Sequence, residues 1–450
     1  MRSRFLRARE SFWFIPALSG AGAVLLALAL IEVDRILQAD GVRSIPLVAD
    51  LSATGGRAIL AAIGGTMLGV AATSFSITIS VLATTSSTYG PRLVRNFMAD
   101  RGNQVVLAVH TSTFLYSLVV LRAVRTEQDS TVAFVPSVAV SVAVLLATCG
   151  VAVLVYFIHH IASSVQVTTL QSRVLAELLD VVDLVYPDEP ARETTKDSVP
   201  DVTTTDETFR ATSPGYVQHV DLRKLVSAAR SADVVVRVLA TPGAYVLAGQ
   251  PIAESIVDAR HEHAHPSAPR GGSTTSLASA VASAFTVATP RTPHQDLRYA
   301  AQGLVEIGIR GLAAGTNDPY TCVSAIDALS VALTTLCSRP ARPDEHADDE
   351  HRLRVLCTWP TPAEVLADVF LALRTYSMDH PLVVRAGVEL IDRLEPVTTG
   401  ETRRALRLET EAFHDAYLAT QPPAFDAGPV LTALGAVRLR LSDHPVPRSP

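Results

Sequence analysis

The sequence predicts an α-helical membrane protein with four transmembrane helices and a cytoplasmic α+β tail. Four long stretches before residue 173 contain no Asp, Glu, Lys or Arg, and each reaches the length of roughly 20 residues that crosses a bilayer. The remainder of the 450 residues has ordinary globular composition, so the first part accounts for the positive mean hydropathy of +0.28. We expect a transmembrane domain over residues 1–172, with spans at about 12–31, 60–85, 104–121 and 133–160.

Arginines flanking these spans predict their orientation. Lys and Arg are enriched in short cytoplasmic loops. Seven arginines precede span one or lie between spans two and three, against five on the opposite side. Both termini are therefore predicted to be cytoplasmic, at the inner (plasma) membrane. The first span is interpreted as a retained anchor, because its apolar run exceeds a usual signal-peptide core and three spans follow.

Two groups of side chains are predicted at the membrane interface. Arg92, Arg95 and Arg101 lie in the loop between spans two and three, where they would either hold lipid phosphates or form a gating contact with the tail. His159 and His160 follow an aromatic pair at the end of span four. They fit an interfacial belt, with cation binding or pH sensing as the alternative.

Small polar side chains mark one face of span two. They begin with the small-xxx-small pair Gly65 and Gly69 and continue with hydroxyls at helical spacing. Such a face either lines a solute path or packs closely against a neighbouring helix. Span three adds the ionisable side chain of His110. At membrane depth such a side chain is a functional candidate, whereas near the interface it needs no functional explanation. The candidate path residues are Thr73, Ser76, Ser80, His110 and Thr113.

Three segments of different predicted structure follow span four. Apolar helical spacing continues over residues 161–186, which predicts a stalk helix running on from the span. Residues 187–208 are rich in Pro, Thr and acidic residues and predict a linker. The β-branched runs of 209–257 then predict a small β-rich, barrel-like unit. Its hairpin resembles those of lipoyl-like modules but carries no lysine at the tip, so covalent carriage of biotin or lipoate is not expected.

The Ser/Pro/Gly-rich segment 258–290 is predicted to be a loop. It contains His261, His263 and His265 in alternation, which on a strand would place three imidazoles on one side, as a divalent metal requires. No Cys or paired carboxylate completes such a site. Incidental His enrichment is the alternative, and no metal or cofactor is assigned.

Residues 291–441 are predicted to form a helical unit. Three helix starts carry capping signals: Asp318 before Pro319, Thr361 with Glu364, and Thr398 with Glu401. Apolar spacing predicts helices at 295–313, 319–337, 362–378, 381–394, 402–419 and 429–441.

A candidate ligand site is predicted at the start of this unit. The turn before Pro319 exposes backbone N–H groups at a helix N-terminus, which can hold an anion. Asp318 opposes an anion, whereas Arg291 or Arg310 would favour one. Capping without any ligand explains the same residues. The candidate site comprises Arg291, Asp296, Asn317 and Asp318.

The segment 89–104, YGPRLVRNFMADRGNQ, resembles the signature of an uncharacterised bacterial membrane-protein family, domain of unknown function 2254 (DUF2254). Further motifs similar to those of the family occur in the family's order along the chain, at 11–16, 157–161, 213–218, 291–296 and 315–319. The resemblance therefore covers the chain to about residue 335. It implies a multi-span inner-membrane protein with a soluble tail and no assigned activity. The chain differs from the family pattern at His294, where an acidic residue is usual, and at Ala314, where Pro is usual.

Composition and motifs exclude several functions. The net charge of −6 and the presence of lysine only at 196 and 224 give no basic surface for nucleic acid. The four cysteines lack metal or disulfide spacing and fit a reducing compartment. No nucleotide-binding, serine-hydrolase or zinc-protease motif occurs, so an enzyme is not expected.

The predicted function is that of a homo-oligomeric channel- or transporter-like protein gated by its cytoplasmic tail. Four spans with small-residue faces rarely enclose a path alone, which is why we expect several copies. The alternative is a membrane-anchored ligand-binding or regulatory module without transport.

Overall fold

The chain divides into two units, Met1–Thr169 and Leu170–Pro450. A computed structural model describes residues 13–39, 52–89, 101–125, 134–164, 166–188, 203–258 and 274–442. Where it is described, the first unit is helical apart from an isolated bridge between Arg125 and Phe134, and the described part of the second combines helices with two sheets.

In the described residues of the first unit, four long apolar helices lie at the predicted spans. Each is long and apolar enough to cross a membrane, and α3 contacts the other three. A fifth helix of this kind, Pro319–Ser338, lies in the second unit, so length and composition alone do not establish a count of four. The helices of the first unit are α1 Phe14–Ala39, α2 Ala53–Tyr89, α3 Arg101–Ala123 and α4 Ser137–Ser164.

A polar contact joins α1, α3 and α4 inside the apolar core of the first unit. Asp34 near the end of α1 is buried and accepts hydrogen bonds from the N–H groups of Val138 and Ala139, both at 3.0 Å. Tyr116 of α3 is also buried and donates its hydroxyl to the Ala139 carbonyl at 2.9 Å. The carboxylate therefore satisfies two otherwise unpaired donors at the start of α4 and complements the helix dipole.

The predicted continuous helix from span four into a stalk is wrong. The structure ends α4 at Ser164 and begins α5, Val167–Val185, three residues later. Ser and β-branched residues populate the junction between 163 and 169, and these residue types favour an interruption of a helix.

Two sheets form the strand-containing part of the second unit. The larger has the order β1-β5-β3-β8-β7, in which only the β3–β8 pair is parallel, and the smaller has the order β4-β2-β6. Helices α6 Leu222–Ala232 and α7 Thr274–Ala284 lie between strands in the chain. The strands are β1 Thr203–Arg210, β2 Gly215–Val220, β3 Val235–Val238, β4 Tyr245–Val246, β5 Pro251–Asp258, β6 Phe285–Ala288, β7 Glu345–Ala347 and β8 Leu353–Leu356.

The strands of these two sheets extend beyond the predicted β-rich unit, residues 209–257. Strand β1 begins inside the predicted linker, and the predicted loop 258–290 contains α7 and β6. The predicted helical unit supplies β7 and β8, and Val355 of β8 pairs with Val236 of β3, both fully buried. A central strand needs partners on both edges, and here the second partner comes from more than 100 residues away, beyond the reach of local pattern.

The helices from residue 297 onward lie within two residues of their predicted bounds, except the last, which begins at Ala424 rather than at residue 429. The Asp318 cap with Pro319 and the Thr361–Glu364 capping box are both present. The third capping signal is wrong, because the Thr398 hydroxyl donates to the Glu395 carbonyl instead. The helices are α8 Leu297–Gly311, α9 Pro319–Ser338, α10 Pro362–Tyr376, α11 Pro381–Leu394, α12 Gly400–Ala419 and α13 Ala424–Ser442.

Candidate functional site

The hydroxyl stripe of α2 faces away from the helix bundle. Thr73, Ser76 and Ser80 are exposed, whereas Ser74 and Thr78 are the buried hydroxyls among the described side chains of this helix. Thr78 donates to the Ser74 carbonyl at 2.8 Å, so its donor is satisfied within the helix. The three predicted path residues on α2 therefore do not line the interior of a single chain.

The interior of the bundle contains a different set of polar groups, on α3. Asn103, His110 and Ser117 are spaced by seven residues, which places them on one face of the helix, and they are 4%, 1% and 1% exposed. Within the described residues, both amide atoms of Asn103, Nε2 of His110 and Oγ of Ser117 have no hydrogen-bond partner. We call these three residues the polar row.

His110 is held in one tautomer by its own helix. Its Nδ1 lies 2.7 Å from the Val106 carbonyl oxygen, which can only accept, so Nδ1 carries the hydrogen and Nε2 of the neutral ring has a free lone pair. A Cβ at Gly150 of α4 would lie 4.0 Å from this Nε2 and 3.1 Å from Sδ of Met67. The ring therefore faces α4 and α2.

Thr113 differs from the polar row although it is equally buried. Its hydroxyl donates to the Val109 carbonyl at 2.8 Å, so its donor is already used. Of the five predicted path residues, His110 alone combines burial with an unpartnered polar atom in the part of the chain described. Sequence reasoning placed Ser117 on the same face as His110 but missed Asn103, which the seven-residue spacing before His110 could have revealed.

The predicted interfacial residues are only partly described. Arg92 and Arg95 lie outside the described residues, and Arg101 begins α3 with an exposed side chain. His160 stacks on Tyr156 with ring centroids 5.5 Å apart, while the neighbouring His159 is exposed. This arrangement is compatible with an aromatic belt at the end of α4.

Arg291 and Asp296 of the candidate ligand site lie in direct contact. Arg291 Nε is 2.6 Å from Asp296 Oδ2, and its guanidinium lies 4.7 Å from the ring centroid of Tyr299. Asp296 also caps α8 by accepting from Tyr299 N–H at 3.0 Å. A Cβ at Gly243, whose φ is +93°, would come within 2.4 Å of the Asp296 carboxylate, so the hairpin backbone closes over this pair.

Asn317 and Asp318 do not join this pair. Asp318 caps α9, accepting from the Tyr320 and Thr321 N–H groups and from the Thr321 hydroxyl at 2.7 Å. Asn317 has a φ of 44° in the turn before it. The 15 residues of α8 separate Asp296 from this turn, which corresponds to about 22 Å along a helix axis. The four predicted residues thus occupy opposite ends of α8.

A groove runs along α8 beside α10. Its volume is about 770 Å³, and its apolar floor includes Val305, Ile309 and Val369. Arg298 spans it with a bidentate ion pair to Asp368, at 2.5 and 2.7 Å. This volume lies in the range of small-molecule sites. The remaining charged lining residues are Arg291, Glu306 and Arg310.

Among the described residues, no group of three or more His, Cys, Asp or Glu side chains is placed to hold a metal ion. The predicted alternation of His261, His263 and His265 lies outside them. Burial raises the pKa of the Cys357 thiol to about 12, so this side chain is an inert thiol rather than a nucleophile.

Long apolar helices and a second unit of mixed α/β structure define this chain as an integral membrane protein. The chain belongs to the family described as predicted membrane protein (DUF2254), which matches residues 9–393.

Mycobacterial proteins are similar to this chain. Uncharacterized protein Mb1321c of Mycobacterium bovis and uncharacterized protein Rv1290c of Mycobacterium tuberculosis are each 30% identical to it over 348 residues. The match covers 77% of this chain and 65% of each relative, so the chain spans less than two thirds of their length. No solved structure matches the chain.

Proposed function

We propose that this chain is a homo-oligomeric inner-membrane protein with four spans and cytoplasmic termini, and that it conducts protons through its first unit past His110. The polar row carries this proposal. A buried polar group without a partner costs roughly 1–3 kcal/mol. Three such residues on one face of one helix fit a bundle in which water or a solute supplies the missing hydrogen bonds.

The chemistry of His110 supports a proton as the conducted species. The free lone pair of Nε2 can accept a proton from a protonated water, and Nδ1–H can release one on the other side of the ring. Asn103 and Ser117, seven residues before and after it, supply groups that donate and accept hydrogen bonds. The row therefore supplies what a relay of water and side chains needs.

The four-span count rests on the packing of α9. This helix contacts α8 and α11, and half of the residues in its most apolar 18-residue stretch are buried within the second unit. Asp327 on its surface pairs with Arg393 of α11 at 2.6 Å, an ion pair typical of a helix in a water-soluble fold. We therefore assign α9 to the core of the second unit rather than to the membrane.

The proton proposal is tested in proteoliposomes that contain a pH-sensitive dye and carry an imposed membrane potential. The wild-type chain is expected to pass protons, and His110→Asn, which keeps an amide donor but has no titratable nitrogen, is expected to reduce the flux by about tenfold or more. Thr113→Val is the matched control, because this buried hydroxyl on the same helix already has a partner. Wild-type vesicles without proton flux, or equal flux in His110→Asn, would contradict the proposal.

The exposed face of α2 supports assembly of several copies. A Cβ at Gly65 or Gly69 would meet nothing within 4 Å, and the Thr66 and Thr84 hydroxyls bond to carbonyls of their own helix. Such a face permits close approach of a second helix. The stripe then packs between copies while the polar row conducts, and the predicted gate remains the second unit, which follows α4 in the chain from Leu170 onward.

Leucine at both Gly65 and Gly69 is expected to weaken assembly, because the larger side chains hold the backbones apart. We expect the dissociation constant to rise by about tenfold in detergent, measured by light scattering across a dilution series. Gly22→Leu is the control, since this glycine of α1 is equally open but lies off the stripe. A wild-type chain that is monomeric throughout would overturn the proposed assembly.

The groove beside α8 favours a second candidate function, a membrane-anchored ligand-binding module without transport. Its volume, apolar floor and charged rim fit a small amphiphilic ligand. The two candidates are separated by the vesicle measurement, because an anchor conducts no protons whichever residue occupies position 110.

A further inference from the structure

A small cavity lies where α5 ends, against the segment that leads to β7. Its volume is about 150 Å³, and its lining includes Tyr186, Arg342 and His346 between proline-rich walls. This volume accommodates one small ion with its hydrogen-bond partners, and a nucleotide does not fit. The cavity is separate from the groove beside α8, with which it shares no lining residue.

Arg342 brings a positive charge to this cavity, and Asp344, which acts electrostatically on Tyr186, is not ion-paired with it. Its guanidinium carbon lies 3.8 Å from the ring centroid of Trp359, and its Nη1 donates to the Val185 carbonyl at 2.5 Å. Among the residues that the structure describes, no carboxylate lies within ion-pairing distance of it. By contrast, the partly buried Arg339 and Arg403 of the same unit pair with Asp183 and Glu395.

His346 adds an unsatisfied group to the same cavity. Its Nε2 is buried and has no hydrogen-bond partner among the described residues. Burial and the nearby charge of Arg342 lower the pKa of His346 to about 4, so the ring is neutral at physiological pH. A neutral imidazole can still donate one hydrogen bond. The Tyr186 hydroxyl is not available in this way, because it donates to the Pro360 carbonyl at 2.8 Å.

We infer that this cavity binds the phosphate group of a small ligand, with Arg342 as the cation and His346 as a second donor. A guanidinium has five N–H donors in a planar fork that suits tetrahedral oxyanions, and stacking on Trp359 fixes its plane. The nearby Asp183 and Asp188 are paired with Arg339, which reduces their repulsion of an anion. This phosphate site lies in the second unit, and its occupancy does not depend on proton conduction by the first unit.

The full chain in detergent serves for the test, with Trp13 replaced by Phe so that Trp359 alone reports by fluorescence. Titration with inorganic phosphate is expected to change the Trp359 emission saturably, because the ligand engages the guanidinium stacked on the indole. Arg342→Gln is expected to weaken binding by about tenfold or more. Calorimetry on the same samples checks the affinity without relying on the indole.

Arg310→Gln is the matched control, since Arg310 lines the groove and has no described carboxylate partner either. It is expected to bind phosphate like the parent chain. His346→Gln, a second variant that keeps the guanidinium, is expected to bind more weakly while retaining the parental circular dichroism, which covers the case in which Arg342→Gln fails to fold.

Two phosphate sources are distinguished by a parallel titration with glycerol 3-phosphate, a soluble mimic of a lipid headgroup. Stronger binding of inorganic phosphate supports a free anion as the ligand, and stronger binding of glycerol 3-phosphate supports a headgroup. The inference is overturned if neither compound binds, or if Arg342→Gln and Arg310→Gln bind phosphate equally well.

Discussion

Arg354→Leu is expected to reduce the free energy of unfolding of the second unit by about 3–5 kcal/mol, because it leaves a buried carboxylate without its cation. The side chain of Arg354 is 7% exposed and that of Asp348 is 1% exposed, with Nε and Oδ2 2.8 Å apart. Arg354 also reaches Asp233 at 2.9 Å and so links β8 to the end of α6. Urea unfolding of the Trp13→Phe chain, followed by Trp359 fluorescence, measures the loss.

The pH dependence of this loss provides a second check. Burial favours a raised pKa for Asp348, but hydrogen bonds from Arg354 and from the N–H groups of Arg352 and Glu350, together with the Arg354 charge, outweigh it and hold the pKa below its ordinary value. The pair therefore stabilises the fold above the unfolded-state pKa and loses this contribution as the pH falls below it. We expect the deficit of Arg354→Leu to shrink toward acidic pH, where Asp348 becomes protonated.

Arg352→Leu is the matched control for this prediction. Arg352 lies two residues earlier, its side chain is 62% exposed, and its contact with Glu350 is 3.9 Å long. Its replacement is expected to change stability by no more than about 0.5 kcal/mol. Similar losses in the two variants would show that the buried pair is not what stabilises this sheet.

Phe413→Ala is expected to reduce the stability of the second unit by about 3–5 kcal/mol, since it removes a fully buried ring from the helical core. Phe413 of α12 lies edge-on to Phe370 of α10, with centroids 6.2 Å apart. Its Cζ points at α11, where a Cβ at Gly387 would lie 2.6 Å away. The ring therefore occupies space that only a glycine on α11 leaves free.

A double-mutant cycle tests this contact. Gly387→Ala alone is expected to cost about 1–3 kcal/mol by overpacking, whereas in the Phe413→Ala background it should cost much less, because the cavity accepts the new methyl group. Phe425→Ala, at a side chain 91% exposed, is the control and is expected to be nearly neutral. Additive losses in the cycle would refute the proposed contact.

Much of the secondary structure follows from local chemistry. An uncharged run of spanning length forms a helix because lipid leaves its backbone no other hydrogen-bond partners, and α1 to α4 lie at the predicted spans. The starts of α9 and α10 follow from Asp318 and from Thr361 with Glu364, since a cap acts within one turn. Family membership was likewise apparent from collinear motifs and is confirmed.

The candidate sites were predicted less completely. Sequence reasoning singled out His110, because an ionisable residue within an apolar span stands out, and it grouped Arg291 with Asp296, which lie in contact in the structure. It placed Asn317 and Asp318 in the same site, although a whole helix separates them from that pair. Arg342 gave no signal at all, because nothing local distinguishes an arginine that lacks a partner from one that is paired.

By itself, the sequence determined most of the long helical segments, which of them suit a membrane and where several helices begin, because desolvation and capping act over a few neighbouring residues. Only the tertiary structure decided that Thr73, Ser76 and Ser80 face outward while the polar row faces inward, and that β8 completes the sheet beside β3. Periodicity shows that a helix has a polar face but not what that face meets. The partner is chosen by packing between residues distant in the chain.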